Sequence, residues 1–93
     1  MYILSAELNF LIPYAESLKD KRQVRRSITD KVRHKFNVSI AEVNNADIHK
    51  RLTLGIAVVS GDFTHGKKCL DEIISYMEEN TEAQLLECYI DEL

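Results

Sequence analysis

The 93-residue chain is long enough to close one hydrophobic core and too short for two, so residues 1–93 read as a single domain. Its apolar content of 45% suits a packed domain, and no apolar run approaches the ~20 residues that span a bilayer. The net charge of −3 argues against a chain that binds nucleic acid over its whole surface.

The first strand is expected over residues 2–12. Leu4, Ala6, Leu8, Phe10 and Ile12 alternate with Ser5, Glu7 and Asn9, the period-two pattern of a half-buried strand. Glu7 and Asn9 interrupt this segment and no basic n-region precedes it, so it is no signal peptide and a cytoplasmic protein is expected. Pro13 has no N–H to give the ladder and ends it. Ser17 is a candidate N-cap, with Asp20 three residues on in a weak capping-box pattern. The helix that follows runs to about Phe36, with Val24, Ile28, Val32 and Phe36 as a narrow apolar stripe.

Val38 to Val43 reads as a second strand, and Asn44, Asn45, Ala46 and Asp47 as the turn after it. Leu52 to Val59 is apolar at nearly every position, as a central strand would be. Ser60, Gly61 and Asp62 break it. Asp62 or Thr64 caps a second helix marked by Leu70, Ile73, Ile74 and Met77, which ends at Asn80 and Thr81. Residues 84–91 form the last strand, with Leu86, Cys88 and Ile90 expected on its helix-facing side.

Six elements in the order βαββαβ predict an α+β, ferredoxin-like fold. It is a four-stranded antiparallel sheet with both helices on one face and right-handed crossovers. The other face is then open. Ser39, Ala41, Val43, Gly55, Ala57 and Val59 make it flat and rich in small residues, which suits a homodimer or another protein partner.

Chemistry is sparse. The fold's RNA-stacking mode needs aromatics on the two central strands. Those strands offer Ser5, Glu7, Gly55 and Ala57, leaving only Tyr89 to stack. No cysteine pair or glycine-rich loop follows the first strand, which excludes the metal-chaperone and acylphosphatase-like modes. His34, His49 and His65 lie in different elements and show no metal-ligand spacing; His49, beside Lys50 and Arg51, is the one to follow. Cys69 and Cys88 share no CxxC spacing and read as small core residues. The chain is therefore expected to be no enzyme and to carry no metal and no cofactor.

One feature does stand out. Of the twelve Lys and Arg, eight fall in residues 18–36: Lys19, Lys21, Arg22, Arg25, Arg26, Lys31, Arg33 and Lys35. Residues 69–93 hold Asp71, Glu72, Glu78, Glu79, Glu82, Glu87, Asp91 and Glu92, and no base. On a helix, Lys19, Arg22, Arg26 and Arg33 share one stripe roughly 21 Å long, completed by Thr29. Lys19, Lys21 and Arg22 also sit near the helix N-terminus, where the dipole disfavours cations. An anion held by the N–H groups near Ser17 and by these side chains would resolve that conflict. Ser17, Lys19, Lys21, Arg22, Arg26 and Arg33 are thus the candidate phosphate- or RNA-binding set. The plainer reading is a solvated face.

Three segments carry a resemblance. Ser17-Leu18-Lys19-Asp20-Lys21-Arg22, Phe36-Asn37-Val38-Ser39-Ile40-Ala41-Glu42-Val43 and Leu54-Gly55-Ile56-Ala57-Val58-Val59-Ser60 resemble the YlxP-like family, domain of unknown function 503, in the same order and at the same spacing. The resemblance implies a small bacterial protein with a ferredoxin-like fold and no established activity. Such proteins are often encoded beside genes for translation initiation and ribosome maturation, which implies a ribosome or RNA connection by association. The chain departs from the family pattern at Ile48-His49, where Leu-Trp is common, and at Gly61, where Asn is common. Three functions are therefore carried forward. The first is a non-enzymatic module contacting RNA or the ribosome through the basic helix. The second is a protein-interaction or homo-oligomeric module using the open sheet face, and the third is a small-molecule-binding regulatory domain or enzyme.

Overall fold

Alternation at the start of the chain becomes strand β1 (Tyr2–Leu11) in the computed structural model, which describes residues 1–93. The elements that follow are α1 (Leu18–Lys35), β2 (Ser39–Asn44), β3 (Arg51–Ser60), α2 (Phe63–Glu79) and β4 (Gln84–Glu92). The sheet order is β2-β3-β1-β4 and every pairing is antiparallel, the ferredoxin-like α+β arrangement. No helix is long and apolar enough to cross a membrane.

The helix starts follow local chemistry. Ser17 Oγ accepts from the Asp20 N–H at 3.1 Å, and the Asp20 carboxylate reaches back to the Glu16 N–H at 2.9 Å. Asp62, rather than Thr64, caps α2 by accepting from the His65 N–H. Gly66, one turn in, is buried against the sheet. A Cβ built there would lie 2.7 Å from Leu4 Cδ1 and 2.9 Å from Ser60 Cβ, so only glycine lets α2 come this close.

One cluster of 17 buried apolar side chains fills the space between sheet and helices. Leu4, Ala6, Leu8 and Phe10 meet Leu52, Leu54, Ile56 and Val58 there, with Ile28 and Val32 from α1 and Leu70, Ile73 and Met77 from α2. Each such aliphatic contributes roughly 1.5–3 kcal/mol on burial, which is why the period-two and period-3.6 patterns dominate the fold. Val24 and Phe36, the ends of the expected α1 stripe, are only half-buried.

Two bulges modify the expected faces. In β4 the register shifts where Leu85 takes the place opposite Phe10, leaving Leu86 without a partner on β1. Leu85 packs on the core in place of Leu86, which is exposed, while Cys88 and Ile90 keep the expected face opposite Leu8 and Ala6, Ile90 being 46% exposed there. In β2 the shift falls at Val43, whose side chain leans over Gly55.

Candidate functional site

The eight cations of α1 do not share one fate. Lys21 is buried, 1% exposed, and does not belong to any surface set. Its Nζ lies 2.8 Å from Glu42 Oε2 and donates to the backbone carbonyls of Asn45 and Ala46 at 2.8 and 3.0 Å. Oε2 takes no further hydrogen bond, while Oε1 accepts from Arg25 Nη1 at 3.1 Å. Of the three cations near the helix N-terminus, Lys21 is thus compensated by a carboxylate from β2, not by an anion from solvent.

Other cations are occupied too. Lys31 donates to the Asn80 carbonyl, and Lys35 lies over the Tyr76 ring at 4.6 Å. Arg33 is exposed, but its Nη2 donates to the Ile40 carbonyl on β2 at 2.9 Å. Thr29, expected in the row, is buried and donates its hydroxyl to the Arg25 carbonyl. Ser17 acts as the helix cap.

That leaves Lys19, Arg22 and Arg26. All three are exposed, and none has a side-chain hydrogen bond or an ion-pair partner. Arg26 borders a groove between α1 and β2, lined also by Arg25, Thr29, Asp30, Arg33, Ala41 and Glu42. The basic surface therefore survives as a shorter patch than the sequence suggests, bounded at one end by Arg33.

The open sheet face gathers its expected residues. Ser39, Ala41, Val43, Gly55 and Ala57 line a hollow of about 520 Å³ whose walls include Tyr89, Glu7 and Asp91. Val59 lies outside it and is 69% exposed. Thr53 shares the face but is buried under the β2–β3 hairpin. Its hydroxyl donates to Asn9 Oδ1 at 2.7 Å and accepts from Asn45 Nδ2 at 2.9 Å. Asn45 adopts a left-handed φ of 57°, which Asn tolerates. Tyr89 donates its hydroxyl to Glu87, and that bond holds the phenol above its usual titration range, Glu87's charge acting the same way.

The remaining titratable groups form no constellation. His65 and Cys69, one helical turn apart at i,i+4 spacing, meet at 3.5 Å, but no third ligand joins them. His49 is half-buried in the hairpin. Both thiols are free and half-buried; burial pushes the Cys88 thiol up, with Glu78 and Asp71 adding to it.

Comparison with known proteins gives two matches. A family model described as "Protein of unknown function (DUF503)" covers residues 3–90. The "Uncharacterized protein YlxP" of Bacillus subtilis (strain 168) is 37% identical over 79 residues, 85% of this chain and 86% of that protein.

Proposed function

The chain belongs to the DUF503 family of proteins of unknown function, and from its own geometry we propose a non-enzymatic module that contacts RNA, on the ribosome or free, through the exposed face of α1. One observation carries this reading: Lys19, Arg22 and Arg26 stand together on one helix face without partners, while the other cations of α1 are all engaged. Lys19 sits in the first turn, where the helix dipole disfavours it, and none of the three cations returns a contact to the fold. A phosphate backbone would neutralise them and release counterions. The mode is backbone contact rather than base reading, because no aromatic accompanies the patch.

The test is titration of a labelled rRNA fragment with the full chain at low and moderate salt. Binding that weakens with salt and disappears in Arg22→Glu/Arg26→Glu supports the reading. A wild-type chain that fails to bind even at low salt makes this face a solvated one.

A second reading, a protein-interaction module working through the open sheet face, draws support from the hollow floored by Gly55 and Ala57. Ala57→Arg would fill that hollow and remove the binding without touching the core.

A further inference from the structure

We infer that two copies of this chain pair through their β4 edges, antiparallel and with the two-fold axis at Cys88, to build one continuous eight-stranded sheet.

The two outer strands are not equally protected. On β2, Arg33 occupies the Ile40 carbonyl and the Arg25–Glu42 pair stands beside the strand. On β4, nine residues long, the one outer backbone group taken by a side chain is the Glu92 N–H, which donates to its neighbour Asp91. Soluble proteins usually guard such an edge with Lys, Pro or a short strand. Residues 69–93 contain no Lys, Arg or Pro, and the edge instead displays Leu86 and Ile90, 43% and 46% exposed.

The ladder fixes which groups face outward. Leu93 N–H donates to the Ile3 carbonyl at 2.8 Å, so Leu93, Asp91, Tyr89 and Glu87 turn their backbone groups toward β1. Glu92, Ile90 and Cys88 turn theirs outward, and bulged Leu86 has no partner on β1.

A second copy satisfies this edge in one register better than in its neighbours. With the axis at Cys88, Cys88 faces itself, Leu86 faces Ile90 of the other copy, and Glu87 lies opposite Tyr89, whose hydroxyl stays on Glu87 of its own strand. Apolar meets apolar, and no two acids are directly opposed. An axis at Tyr89 would set Glu87 against Asp91, a like-charge pair directly opposed. An axis at Ile90 would set Cys88 against Glu92. The open face is the less self-complementary surface, since a second copy there would lay hollow on hollow. Acids of both copies still gather near the β4 axis, so salt strengthens this dimer while it weakens RNA binding.

Sedimentation of the full chain across a concentration series tests the inference. A dimer is expected, tighter at high salt, and Ile90→Lys should weaken it about a hundredfold or more with an unchanged circular dichroism spectrum. Because directly opposed residues in a hydrogen-bonded pair have Cα atoms about 5.5 Å apart, within disulfide range, Cys88 should also cross-link to itself. In Cys69→Ser, diamide should take two protons and two electrons from the paired thiols and leave a covalent dimer. Cys88→Ser should give none. A wild type that stays monomeric at millimolar concentration overturns the inference. So does a dimer that survives Ile90→Lys, and one that Ala57→Arg alone dissociates belongs to the open face.

Discussion

Lys21 and Glu42 meet at 2.8 Å beneath the N-terminal half of α1, the lysine sealed from solvent and the carboxylate nearly so. Neither has another charge to turn to except Arg25. Removing one partner of a buried pair strands the other, and typical costs are 3–5 kcal/mol. Lys21→Met should therefore lower unfolding stability by about 3 kcal/mol, the low end, because Arg25 still holds Glu42. Urea denaturation reads the loss directly. RNA affinity per folded molecule should not change, since Lys21 never reaches the surface. A variant as stable as the wild type would show that the pair is structurally idle.

The opposite pattern is expected at Arg22 and Arg26. Three phosphate contacts at about 0.7 each give a slope of log K against log salt of roughly −2 for single-stranded RNA. Arg22→Glu/Arg26→Glu should abolish binding and leave stability nearly unchanged, because neither side chain has a hydrogen bond or ion-pair partner to lose. A steeper slope would mean that Arg33 leaves the Ile40 carbonyl to join the contact.

The contrast between Lys21 and Arg22 marks where the sequence runs out. Periodicity made the core legible because apolar burial repeats at fixed intervals, and Leu8, Ile28 and Leu70 all fall where it places them. Ser17 and Asp62 were legible because capping chemistry is local. A lysine's letter, however, carries its charge and not its exposure. Lys21 is turned inward by Glu42, twenty-one positions away and on another element. The β4 face was missed by one position because a bulge at Leu86 changes parity without any glycine or proline to announce it.

Gly66→Ala gives a clean sign test. In an exposed helix the change would stabilise by roughly 1 kcal/mol. Here the new methyl meets Leu4 and the Ser60 backbone-proximal Cβ, and overpacking costs typically 1–3 kcal/mol. A net loss of about 1 kcal/mol is expected, seen as a lowered Tm. A gain would mean that α2 can lift from the sheet without penalty.

Alkaline pH should weaken the fold. The Tyr14 phenol is pushed up by burial and then by Glu82, the Cys88 thiol by burial and neighbouring acids, and the Tyr89 phenol by its bond to Glu87. In each case the folded state holds its proton more tightly than the unfolded one. The stability this gives is complete below the ordinary thiol and phenol ranges and fades as pH rises through the raised values. Thermal melts should drop across that window, and Tyr14→Phe with Cys88→Ser should flatten the drop. Cys88 should likewise alkylate slowly at neutral pH.

Lys50 donates to the Pro13 and Ala15 carbonyls, as Lys21 does to those of Asn45 and Ala46. Lys50 ties the hairpin to the β1–α1 loop, and Lys21 ties it to the start of α1. The hairpin cannot lift away without breaking bonds made by both ammonium groups. The corner is accordingly a single cooperative unit, and hydrogen–deuterium exchange should give its hydrogen-bonded amides one common opening free energy, higher than loop segments of such length ordinarily show.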